Sequence, residues 1–152
     1  MARPHPLKEL MKTPLPPISY QRRKGYRPSL REVKQIYKTL NKYVFNNKLV
    51  MPPIEIGVCR TYWGICAGQY TPTKKGTYCR IRLMDKWFCV QWLVTTLAHE
   101  MVHQYEWDIL RKKMTHRQSF FMWKEQLDRF SIDLKTYHGQ KKWFKYQDFK
   151  KT

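Results

Sequence analysis

The stretch Thr95-Thr96-Leu97-Ala98-His99-Glu100-Met101-Val102-His103 limits what this chain can become more than any other. It holds H-E-x-x-H in a run with helical apolar spacing. On an α-helix, residues four apart lie one above the other on the same face. His99 and His103 can therefore aim two imidazoles at one metal ion. Glu100 sits about 100° round the helix from His99 and about 60° from His103, beside such an ion rather than on it. Two neutral nitrogen ligands and a neighbouring carboxylate that can take a proton from water are what a zinc hydrolase requires.

The surrounding residues decide between this reading and a helix whose histidines are merely solvated. Val90, Leu93, Val94, Leu97 and Met101 form an apolar stripe along one side. The two histidines and Thr96 fall on the other. The pattern predicts a helix with its back in the core and its histidine face on a cleft, running from about Lys86 to about Asp108.

At 152 residues the chain is long enough for one domain with a real core. Its balance is strongly basic: 30 Lys and Arg against 11 Asp and Glu, a net charge of +19. Such a field favours polyanions, nucleic acid first and acidic membranes or proteins after it. Cys59, Cys66, Cys79 and Cys89 form no C-x-x-C, so neither a zinc ribbon nor a thioredoxin-type motif is indicated. No run approaches the roughly 18 apolar residues of a membrane span, and residues 1–28 contain no apolar signal-peptide core. Reduced thiols in a cytoplasmic setting are expected, nucleoid-associated or nuclear if the protein works on DNA.

Residues 1–28 carry Pro4, Pro6, Pro14, Pro16, Pro17 and Pro28 together with Arg22-Arg23-Lys24. They read as a flexible basic arm, packed in part through Leu15, Ile18 and Tyr20. Residues 29–152 read as the folded domain. Ser29 with Glu32 makes a capping box that opens a helix through Leu30, Val33, Ile36, Tyr37, Leu40 and Val44, closed by Asn46-Asn47. Ile54, Ile56 and Val58 alternate with Glu55 and Gly57 as a half-buried strand. Ile65–Tyr70 and Tyr78–Met84 add two more, joined by a loop over residues 71–76. Thr115 is an expected N-cap for a helix through Phe120, Phe121 and Leu127. The closing segment mixes Tyr137, Trp143, Phe144, Tyr146 and Phe149 with lysine and arginine, a composition that covers cores and also stacks on single strands.

A catalytic zinc takes a third protein ligand and leaves one position open. His116 lies 13 residues past His103, close enough for a short loop to fold back. His138 is the reserve. Glu125, with Asp128 behind it, is the choice for a Glu-type site. The metzincin pattern fails, because Glu106 stands where its Gly belongs and Ile109 where its third His belongs.

These residues resemble the SprT-like (Spartan-type) zinc metalloproteases over roughly residues 30–130. The resemblance is carried by Tyr43-Val44-Phe45-Asn46-Asn47-Lys48-Leu49, Cys66-Ala67-Gly68, Ile81-Arg82-Leu83, the H-E-x-x-H segment, and His116 followed by Ser119-Phe120. The segment before His116 lacks the Gly often found in the family, and no Cys-x-x-Cys follows the core. The resemblance implies a minimal zincin-like α+β fold, helices packed on a small three-stranded antiparallel or mixed sheet. It implies one zinc ion held by His99, His103 and His116, with Glu100 as general base.

The function expected is a zinc-dependent metalloprotease acting on proteins near or on DNA, bound through the basic surface and not to a membrane. Tyr105, Tyr137 and His138 are candidates to stabilise the oxyanion. Thr96 or Glu106 is a candidate to hold an imidazole N–H. The alternative is a basic nucleic-acid-binding module whose metal site is structural or vestigial. A nuclease, which would use two metals about 4 Å apart, finds few carboxylates near His99.

Overall fold

The computed structural model describes residues 5–135. The elements in chain order are α1 (Pro6–Met11), α2 (Ile18–Arg23), α3 (Leu30–Tyr43), β1 (Ile54–Gly57), β2 (Gly64–Gly68), β3 (Cys79–Met84), α4 (Val90–Gln104), α5 (Gln118–Phe121) and α6 (Lys124–Asp128). A π-helical turn, Tyr105–Ile109, continues α4. This is the α+β arrangement expected. The strand order is β1-β3-β2, with β1 parallel and β2 antiparallel to β3, so the small sheet is mixed and β2 lies at an edge.

The first long helix follows its local chemistry. Ser29 Oγ accepts from the Glu32 N–H and Glu32 Oε1 accepts from the Ser29 N–H, each at 3.1 Å. This satisfies two donors that a helix start leaves open. Val33, Ile36, Tyr37 and Leu40 face inward. Asn46 and Asn47 then turn the chain through left-handed backbone, at φ 53° and 60°, a conformation asparagine tolerates better than most residues.

Helix α4 departs from the expected amphipathic pattern. Fourteen of its fifteen residues are buried, all but Val90, so it has no solvated face. The apolar side of Leu93, Val94, Leu97, Ala98, Met101 and Val102 is matched by buried polar residues on the other, Gln91, Thr95, Thr96, His99, Glu100, His103 and Gln104, so tertiary packing rather than the apolar pattern covers the second face. It packs against β2, β3, α1 and α3. The helix also starts later than Lys86. Trp87 is held instead in a bridge to Tyr26, with N–H···O contacts of 2.6 and 2.8 Å, and Cys89 is extended at the N-cap.

The arm region is more ordered than its prolines suggest. Pro6 stands at the first position of α1, where its missing N–H costs nothing. Leu7 is completely buried against the core. Ile18 also packs there, whereas Leu15 and Tyr20 are exposed. The Gln91 side-chain amide donates to the Thr13 carbonyl, tying this segment to α4. The aromatic run from Tyr137 to Phe149 lies outside the described residues.

Candidate metal centre

His99 and His103 stand on successive turns of α4, and the chain returns to them through residues 110–117. The three Nε2 atoms of His99, His103 and His116 form a nearly equilateral triangle with edges of 3.1, 3.2 and 3.2 Å. His99 and His103 are buried; His116 is exposed. Four-coordinate zinc with Zn–N distances of 2.0–2.1 Å sets neighbouring nitrogens about 3.3 Å apart, so the triangle fits an ion of that kind. Among the described residues these three side chains are the group able to hold a metal.

The tautomer of His103 follows from its other nitrogen. Nδ1 faces Glu106 Oε1 at 2.8 Å, and a carboxylate oxygen there requires the N–H on Nδ1. Nε2 is then an unprotonated lone pair aimed into the triangle, the form a metal ligand needs. Burial also keeps His103 below the ordinary histidine range, against the opposing pull of Glu106. Phe120, wholly buried, lies under all three rings with centroid separations of 4.7 to 4.9 Å. It fixes their planes by contact and shields that side from water.

Glu106 joins the two halves of the site. Its carboxylate accepts from His103 Nδ1, from the Thr115 N–H and hydroxyl, and from Ser119 Oγ at 2.5 Å. Burial acts to raise its pKa, but the hydrogen bonds from Ser119, His103 and Thr115 outweigh it and hold the carboxyl below its usual range. Thr115 was expected as an N-cap. It is drawn away: its hydroxyl serves Glu106, and α5 starts three residues later with no side-chain cap.

Glu100 is buried on the side of α4 that faces β2. A side chain at Gly64 would come within 3.4 Å of its Cγ. Burial raises its pKa to about 8, opposed by the backbone N–H of Cys66. The remaining candidates sit elsewhere. Thr96 Oγ1 finds no hydrogen-bond partner among the described residues. The Tyr105 ring is packed between Phe45 and Trp123 in the core. Glu125 is on the surface, 3.9 Å from Arg129, and Asp128 is half-exposed beside Lys124. All four cysteines are buried free thiols. Tyr137 and His138 lie outside the described residues. Sequence reasoning offered Glu106 only as one of two partners for an imidazole; its grip on Thr115 and Ser119 has no signature in residue spacing.

Fold and site together define an α+β domain in which an H-E-x-x-H helix and the loop carrying His116 bring together three histidines able to hold a metal ion. The chain matches the sequence model of the SprT-like family over residues 33–138, and it belongs to that family. Membership supports a metalloprotease-like domain and a zinc-type site. Among curated proteins, none matches the chain. Among the described residues, no helix is long and apolar enough to cross a membrane.

Proposed function

We propose that this protein is a zinc-dependent endopeptidase that works on proteins near or on nucleic acid. The observation that carries the reading is the Nε2 triangle of His99, His103 and His116 with Glu100 one position along the same helix. When bound, the ion supplies the Lewis acidity that makes water a nucleophile near neutral pH.

The residues divide the remaining work. His99, His103 and His116 are the ligands, and Glu106 keeps the His103 lone pair pointed inward. Glu100 takes a proton from the attacking water and returns it to the leaving amine. Its position supports this role, because it lies between the ligand pair and the edge strand β2. An edge strand offers unpaired N–H and C=O groups to which an extended peptide can add. That favours a polypeptide substrate over a nucleic-acid one, and among the described residues no carboxylate joins the three histidines as a further ligand. The net charge of +19 supports a polyanion close to the substrate.

The test compares wild type with Glu100→Gln and His116→Ala. Wild type is expected to bind one equivalent of zinc and to digest an unfolded protein. Glu100→Gln is expected to keep the metal and to lose about 10²–10⁴ in turnover, the usual worth of a positioned base. His116→Ala is expected to lose the metal. Turnover by Glu100→Gln at the wild-type rate would overturn the mechanism.

A further inference from the structure

A second feature lies just beyond α4. Trp107 follows Glu106 directly and forms one wall of an open cleft of about 460 Å³. Tyr70 and Tyr78 supply its other aromatic surfaces, and Arg111, Lys112 and Lys113 its charge. Among the described residues no carboxylate lines it. Of the two acids flanking Trp107, Glu106 is engaged by His103, Thr115 and Ser119, and Asp108 accepts from the Tyr78 N–H and the Gln104 amide.

The aromatic wall is held in place. The Trp107 indole lies against Gly68, where a Cβ would come within 2.6 Å of the ring, a separation that side chains do not adopt. Its N–H donates to the Gln69 carbonyl at 3.2 Å. The Tyr70 ring sits 5.7 Å from the indole and is 89% exposed, the most exposed large hydrophobic side chain among the described residues. The Arg111 guanidinium lies 4.6 Å over the Tyr78 ring. Arg111 has φ 55°, an uncommon backbone state for a residue with a side chain, and the Lys112 N–H is tied to the Glu106 carbonyl. The π turn and this left-handed residue together bring three consecutive cations to the rim of the aromatic wall.

We infer that this cleft binds single-stranded nucleic acid, an unpaired base stacking on Tyr70 beside Trp107 while Arg111, Lys112 and Lys113 meet the phosphates. The chemistry favours that ligand over other polyanions. Cations alone would hold any of them, but a fixed indole with an exposed phenol ring beside it matches the flat face of a base. The assignment deepens the nucleic-acid part of the function proposed above and needs no catalysis, so it is tested by binding alone.

Full-length protein is titrated against fluorescein-labelled oligothymidylate of about 10 nucleotides, within the usual site size of such proteins. An abasic strand of equal length and polyglutamate are used in parallel. Wild type is expected to prefer oligothymidylate over the abasic strand by roughly tenfold. Tyr70→Ala, at an exposed position, is expected to remove that preference, and Tyr70→Phe to keep it. Lys112→Ala with Lys113→Ala is expected to flatten the salt dependence by about 0.7 in log–log slope per cation. Lys38→Ala with Lys48→Ala, the same charge change outside the cleft, is expected to affect binding less. Equal binding of the abasic strand by wild type, an unchanged preference in Tyr70→Ala, or equal competition by polyglutamate would overturn the assignment. Binding that survives these changes would leave the wider nucleic-acid reading standing; no binding to any strand would remove both.

Discussion

The two segments that meet at the histidine triangle are built in opposite ways. Helix α4 carries His99 and His103 inside a shell of core side chains. The segment that brings His116 is largely exposed, and Arg111 within it is in a left-handed backbone state. Beyond Leu110, its inward hydrogen bonds among the described residues converge on Glu106: the Lys112 N–H reaches the Glu106 carbonyl, and Thr115 and Ser119 reach the Glu106 carboxylate. Two ligands are thus fixed by the same burial that folds the domain. The third is fixed by a buried carboxylate that also holds His103. Glu106 is the device that makes a loop behave like part of the core.

The largest expected effect tests the helix. Leu97 is completely buried on α4. Leu97→Ala is expected to lower stability in denaturant titration by about 2–5 kcal/mol. The folded protein should still bind one equivalent of zinc, because the ligand geometry of α4 is set by the whole core. Loss of the metal at temperatures where the variant stays folded would show the helix to be no more self-sufficient than the loop. Zinc itself is the next probe. At a free concentration about 100 times its Kd it is expected to add about 2.7 kcal/mol of stability. The slowing of amide exchange should be greater over residues 111–118 than in α4, since the helix is already protected. Equal slowing in both would erase the contrast.

The division between these segments also marks what could be read from residues alone. The capping box of Ser29 and Glu32, the asparagine stop and the helical spacing of α4 are local, so they were legible, as were the α+β class and the meeting of three histidines. The full burial of α4 was not. The two histidines and Thr96 suggested a face open to a cleft, but they are buried, as are Gln91, Thr95 and Gln104, in a helix packed against α1, α3 and the sheet. The order of residues 5–23 was hidden for a similar reason: Leu7 is buried in the core with Leu10, Met11 and Ile18 packed against it, and prolines interrupt any periodicity among them. Thr115 was misjudged because cap propensity describes an isolated helix start. Here a buried carboxylate competes for the hydroxyl. Trp87 looks helical in sequence but is committed to a bridge with Tyr26, 61 residues before it, and the Lys86 ammonium donates to the Arg23 carbonyl.

The two smaller predictions act on the clamp. Glu106→Gln keeps the shape but turns one acceptor into a donor facing donors. It is expected to weaken zinc binding about 10- to 100-fold, the usual worth of a residue that orients a ligand. Thr115→Val is gentler and discriminates more sharply. It removes the hydroxyl that donates to Glu106 Oε2 at 3.0 Å and accepts from the Arg117 N–H at 3.3 Å, while the Thr115 N–H stays in place. One hydrogen bond to a charged acceptor, partly replaced by water, is worth about 1 kcal/mol here. If residues 111–118 depend on Glu106 as argued, that loss falls on the loop: exchange at residues 115–118 quickens, zinc affinity drops about fivefold, and exchange in α4 is unchanged. His99 does not touch Glu106, and His103 keeps its own hydrogen bond to Oε1, so unchanged exchange in α4 assigns the change in affinity to His116. A Thr115→Val protein with wild-type affinity would mean that the loop is held by the packing of Phe120 beneath the rings, and that the carboxylate serves only His103.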